Sequence, residues 1–167
     1  MDKGISDRSC IALLILCISG LLFQSCGERP ESSYPHLADA IDSGALTRGW
    51  IPNFLPESSY DIHEMHDISS SRTWCMFNFT PDDLQGLRNA FAGSVDKLSP
   101  ELKHIDSPKI SWWPDFLEDD LDIEMIKELG FALYIIDEPS YIDKTRPVLF
   151  AIDWTKGIGY FHRTYSQ

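Results

Sequence analysis

Basic charge, cysteine and long apolar runs are all scarce in this 167-residue chain. Lys and Arg number 14 against 26 Asp and Glu, a formal net charge of −12. That balance excludes broad electrostatic binding to nucleic acid, makes anionic lipid headgroups poor partners for the surface as a whole, and suits a basic protein partner instead. No glycine-rich phosphate loop, Gly-x-Ser-x-Gly elbow or His-Glu-x-x-His pattern occurs, so nucleotide, serine-hydrolase and zincin chemistry lack their motifs and no cofactor is implied. The longest apolar run, Cys10 to Phe23, is about 14 residues, short of the roughly 20 needed to cross a bilayer as a helix.

That run has the length of an export signal. Lys3 and Arg8 precede it, offset by Asp2 and Asp7, and Ser25-Cys26-Gly27 follows. The stretch Leu22-Phe23-Gln24-Ser25-Cys26 resembles the lipobox of bacterial lipoproteins, although Phe23 stands where that pattern prefers Leu and Gln24 is bulkier than its usual small residue. The resemblance implies removal of residues 1–25 and a diacylglycerol on the Cys26 thiol. It also implies a place in the bacterial cell envelope, on a membrane without spanning it. The alternative is an ordinary cleaved signal that leaves Cys26 as a thiol. Residues 26–33 then read as a polar tether and 34–167 as a single domain. Cys10 and Cys17 leave with the signal, so once Cys26 is acylated Cys75 has no disulfide partner. Its alternation with Phe77 and Phe79 places it among buried side chains of a strand.

Pro35, Leu37 and Ile41 predict a short helix closed by Gly44. Trp74 to Phe79 reads as a strand, and residues 48–71 as an ordered loop with a short strand. Thr80-Pro81-Asp82-Asp83 starts a second predicted helix with an apolar stripe at Leu84, Leu87 and Phe91. Leu117, Leu121, Met125 and Leu129 recur every four residues, predicting a third helix capped by Gly130. Residues 131–136, 147–154 and 158–165 read as strands, the last two joined by a hairpin at Thr155-Lys156-Gly157. The order predicts an α+β fold: an antiparallel sheet of four or five strands with two or three helices packed on one face.

Among candidate sites, Asp61-Ile62-His63-Glu64-Met65-His66-Asp67 concentrates two imidazoles and three carboxylates. Zinc accepts such ligands, and a metal-dependent periplasmic enzyme would use His63, Glu64 and His66. On a strand, however, His63 and His66 point to opposite faces. Trp112 and Trp113 would suit a sugar or protein partner, or would staple a loop to the sheet. The acidic patch Glu118, Asp119, Asp120, Asp122 and Glu124 lacks the alternating ligands and glycine of a calcium loop and reads as a solvated helix face. His162, alternating with Tyr160, reads as a surface residue.

Gly49-Trp50-Ile51-Pro52, Leu55-Pro56-Glu57-Ser58, Ile62, Asp67, Trp112-Trp113-Pro114, Ala151-Ile152-Asp153 and Gly159-Tyr160-Phe161 together resemble a set of small bacterial lipoproteins of unknown function. That resemblance covers most of the chain after Cys26 and implies a single-domain lipoprotein. The composite expectation is a non-enzymatic, membrane-tethered domain that binds another protein.

Overall fold

The computed structural model describes residues 29–82, 88, 91, 93–95, 97–98, 102–139 and 145–163. Its elements run β1 (Glu31–His36), α1 (Leu37–Asp42), β2 (Tyr60–Asp67), β3 (Arg72–Asn78), β4 (His104–Ile105) and a 3-10 turn at Asp115–Leu117. They continue with β5 (Asp119–Asp120), α2 (Ile123–Glu128), β6 (Ala132–Pro139), β7 (Thr145–Asp153) and β8 (Ile158–Arg163). Six strands form one antiparallel sheet in the order β1-β2-β3-β8-β7-β6, and β4 pairs with β5 in a small ribbon.

The predicted α+β class is therefore wrong: the described fold is mostly β. Its two helices have 6 residues each, too short to form a packed layer. The sheet instead buries both faces. Strand alternation sends Cys75, Phe77, Phe150, Ile152 and Phe161 to one face, under α1 and a loop carrying Ala45, Ile51 and Leu55. Trp74, Met76, Leu133, Leu149, Ala151 and Tyr160 fill the other, under Ile105, Trp113, Leu117, Leu121 and Ile126. Both covers are largely irregular chain. Each fully buried Phe contributes on the order of 1.5 to 3 kcal/mol through removal from water, so two filled faces compensate for the missing helices.

Three local departures have identifiable causes. The chain is already extended at Glu31 and stays so through His36, and α1 starts only at Leu37, where Asp39 accepts the His36 amide at 3.0 Å. The helix predicted through Leu117 and Leu121 shrinks to Ile123–Glu128. Asp122 caps it by accepting the amides of Glu124 and Met125, both at 3.1 Å. Upstream, Asp119 adopts a positive φ of 53° and pairs with Ile105. Ile126 is fully buried, whereas Met125 and Leu129 are exposed, so the four-residue recurrence does not mark a buried stripe. Most of the helix predicted from Thr80, with Leu84 and Leu87, lies outside the described residues. Phe91 is described, and stacks on Tyr134 with ring centroids 4.3 Å apart.

The β2–β3 and β7–β8 turns use one device. Asp67 Oδ1 accepts the Ser69 and Ser70 amides and the Ser69 hydroxyl, at 2.9, 3.1 and 2.6 Å. Asp153 Oδ1 does the same for the Thr155 and Lys156 amides and the Thr155 hydroxyl, at 3.0, 3.0 and 2.6 Å. These side chains replace backbone partners that a tight turn leaves unsatisfied. The first of the two turns borders the site described next.

Candidate functional site

Three strands end together on the first face of the sheet. Their last register row runs His66, Thr73, Arg163 across β2, β3 and β8. Beyond that row the apolar core stops and a cavity of about 410 Å³ opens, lined by Arg48, Trp50, His66, Asp67, Arg72 and Arg163 among others. Arg48 and Arg163 stand on this face of the cavity, while Arg72 lines its edge and turns its guanidinium to Asp106 on the other side of the sheet, in a chain whose net charge is −12.

The loop after α1 supplies Arg48 and Trp50. Successive turns hold it, with the Arg48 amide on Gly44 O at 3.1 Å, Gly49 on Leu46 O at 2.9 Å and Trp50 on Ala45 O at 3.0 Å. Gly49 has a φ of 74°, a left-handed conformation that disfavours a side chain, and its carbonyl accepts from Arg163 Nη1. Trp50 lies flat on His66, with centroids 3.8 Å apart and planes 13° from parallel. The Arg48 guanidinium covers the indole at 4.1 Å and donates to Ser43 O at 2.7 Å. The result is a layered wall of Arg48, Trp50 and His66. Stacked rings contribute about 0.5 to 1.5 kcal/mol beyond area burial, and an exposed cation over an indole adds about 0.5 to 1 kcal/mol.

Behind this wall, His66 Nδ1–H donates to Glu64 Oε2 at 3.0 Å. Glu64 is wholly buried, and burial pushes its carboxyl up against the opposing hydrogen bond and charge of His66. Its Oε1 makes no hydrogen bond, and Ser32, directly across the ladder, supplies only a lesser pull toward the charged form. Asp67 stays charged: the Ser69 hydroxyl hydrogen bond foremost, then the turn amides, holds it at about 2 against the effect of burial. Arg29 Nε donates to its Oδ2 at 3.2 Å, while Arg72 donates to Asp106.

Strand geometry separates the predicted metal ligands. Glu64 and His66 face the first side of the sheet, whereas His63 faces the other, its Nε2 on Asp61 Oδ1 at 3.0 Å. Among the described residues no group of three metal-ligating side chains is assembled. Nor do Trp112 and Trp113 make a shared platform. Trp113 is buried and donates to Leu117 O at 3.2 Å, and Trp112 is half-buried, with Nε1 donating to Glu31 Oε1 at 2.6 Å. Cys26 lies outside the described residues.

Cys75 is fully buried, and burial pushes its thiol well up, which suppresses the reactive thiolate. His162 is buried, not at the surface, because Trp113 and Trp74 cover it at ring distances of 6.4 and 5.3 Å. Burial lowers its pKa to about 4, against the hydrogen bond its Nδ1–H donates to Thr73 O at 3.1 Å. The arginine cleft was not anticipated, since Arg48, Arg72 and Arg163 share no sequence spacing. Gly49-Trp50 and His66-Asp67 stood out in the sequence only as a packing motif and as part of a metal-like cluster.

No curated protein and no solved structure matches this chain. Residues 28–78, which carry β1 to β3 and with them Arg48, the Trp50–His66 stack and Arg72, match the model of the YbbD head domain, a family of unknown function.

Proposed function

We propose that this chain is a non-enzymatic recognition domain, held on an envelope membrane through a lipid on Cys26, which binds an anionic group in the arginine cleft. The observation that carries this reading is the placement of Arg48 and Arg163 on one cavity beside the Trp50–His66 stack, with Arg72 at its edge paired to Asp106. A guanidinium offers five donors in a flat fork that matches a carboxylate or phosphate. Asp67 is the one carboxylate on the wall among the residues named, and its oxygens are engaged by Ser69, Ser70 and Arg29. His66 has its carboxylate partner behind it, in Glu64, which fixes the ring against Trp50 for support.

Thermal melts of the chain with citrate, glucose, spermidine and zinc chloride separate the possible ligand classes. A ligand at a hundredfold excess over its dissociation constant stabilises by about 2.7 kcal/mol. Citrate should raise Tm, and Arg48→Gln with Arg163→Gln should remove that rise. A rise with spermidine alone would move the binding surface to the acidic residues and a basic partner. Glucose alone would favour Trp112, and zinc alone the histidines. For the anchor, a metabolic fatty-acid label should appear on the wild type and disappear with Cys26→Ser; equal labelling of both would reject Cys26 as the acceptor.

A further inference from the structure

We infer that the cleft's anionic ligand is the phosphate of an acidic phospholipid headgroup in the same membrane that holds Cys26. The inference rests on the anchored, anion-binding reading above. The chain enters the fold at the cleft: Arg29 pairs with Asp67 on the cavity wall at 3.2 Å, and Pro30 O accepts the His66 amide at 3.3 Å. Three residue steps separate Arg29 from Cys26. However those residues are arranged, an extended chain advances at most about 3.6 Å per residue, so the two Cα atoms lie within about 11 Å. A lipid on Cys26 therefore keeps this end of the sheet about one Debye length from the bilayer surface, close enough for surface charge to act.

What stands at that end fits a headgroup layer. Arg48 and Arg163 stand there on the cavity, with Arg29 and Arg72 at the same strand ends paired to Asp67 and Asp106, so arginines outnumber carboxylates at the point of attachment although the whole chain is acidic. Ile68, in the turn between β2 and β3 on the cavity rim, is 65% exposed. An aliphatic side chain beside guanidinium groups suits the boundary between headgroups and acyl chains, with phosphate oxygens taken by the forks. Net charge argues against acidic lipid for the surface as a whole, but the tether selects which part of the surface the membrane meets.

The test uses the full chain, expressed so that export and acylation proceed, with Ile68→Cys carrying an environment-sensitive fluorophore. Cys75 is buried and does not compete for the label. The purified protein is reconstituted into vesicles of phosphatidylcholine, or of phosphatidylcholine mixed equally with phosphatidylglycerol, and its mass reports the acyl group. Emission should shift to the blue on the mixed vesicles and not on the neutral ones. Arg48→Gln with Arg163→Gln should abolish the shift. Arg48→Gln, at an exposed position, should weaken it in a protein whose interior is untouched. Orthophosphate at the same total concentration as lipid phosphate should leave the shift in place, because the anchor raises the headgroup's effective concentration.

Identical emission on both vesicles from an acylated chain would overturn the inference and leave the anchor standing. Loss of the shift on adding orthophosphate would overturn it in favour of a soluble phosphate ligand. A mass without the acyl group would overturn it together with the anchor reading.

Discussion

His66 lies face to face with Trp50, ring centroids 3.8 Å apart and planes 13° from parallel, with the Arg48 guanidinium on the outer face of the indole. The stack joins a loop to the end of β2, so its strength sets how firmly the cleft wall is held. A double-mutant cycle of Trp50→Ala and His66→Ala, read by urea unfolding, should return a coupling of about 0.5 to 1.5 kcal/mol. Zero coupling would mean that the two rings only happen to lie parallel.

His162 predicts acid sensitivity. Burial holds its folded pKa at about 4, below the ordinary 6.5, so between those values the unfolded chain binds the proton more readily. Stability is then complete above about pH 6.5 and falls as pH drops toward 4. The full shift is worth on the order of 3 kcal/mol. Arg72 adds to the depression and Asp106 opposes it. His162→Asn, which keeps a donor for Thr73 O, should flatten the stability profile between pH 7 and 4.5 measured by urea unfolding. An unchanged slope would show that the ring protonates as easily in the folded state.

The two aspartate turns act at lower pH. Asp153 is driven up by burial but held lower overall, at about 2, by Thr155 and Lys156; Asp67 also sits at about 2. Each is below the ordinary 3.8, so its stabilisation is present above about pH 4 and lost as pH falls through 2. Asp153→Asn removes the charge that accepts three hydrogen bonds through Oδ1 and should cost about 1 to 3 kcal/mol at pH 7. The loss should shrink toward zero at pH 2, where the wild-type carboxyl is itself half protonated.

Two glycines in and beside β8 are required by space. A Cβ on Gly159 would come within 2.4 Å of the Phe77 ring, and one on Gly157, whose φ is 67°, within 2.1 Å of Phe79 O. Gly159→Ala should cost about 1 to 3 kcal/mol by overpacking. Gly157→Ala should cost more, because it meets backbone and also strains a left-handed residue. Urea midpoints for the two variants test both the size and the order.

Much of the sheet is legible in the sequence. Trp74-Cys75-Met76-Phe77, residues 147–154 and the Thr155-Lys156-Gly157 turn carry β-rich composition and a left-handed glycine, and they became β3, β7 and β8. β1 was obscured because Glu31-Ser32-Ser33 is polar, as an outer strand with one ladder permits. The third predicted helix misled because Leu117, Leu121, Met125 and Leu129 have helical spacing but serve different elements. Asp122, which sets the true start of α2, looked like one more member of an acidic run.

The site was less legible for a related reason. Alternation correctly separated His63 from His66, since it needs only local geometry. It could not reveal that Trp113 covers His162, nor that Arg163 reaches Gly49 across the fold. Such contacts depend on which irregular segments cover each face, and those segments carry no periodic signal.

The most direct test of the central claim compares quenching of Trp50 fluorescence by iodide and by caesium at equal ionic strength, with the Trp50→Phe variant subtracted to isolate that indole. An anion-attracting cleft predicts stronger quenching by iodide, reduced by Arg163→Gln. Equal quenching, or stronger quenching by caesium as the net charge of −12 alone would give, would contradict an anion-binding cleft.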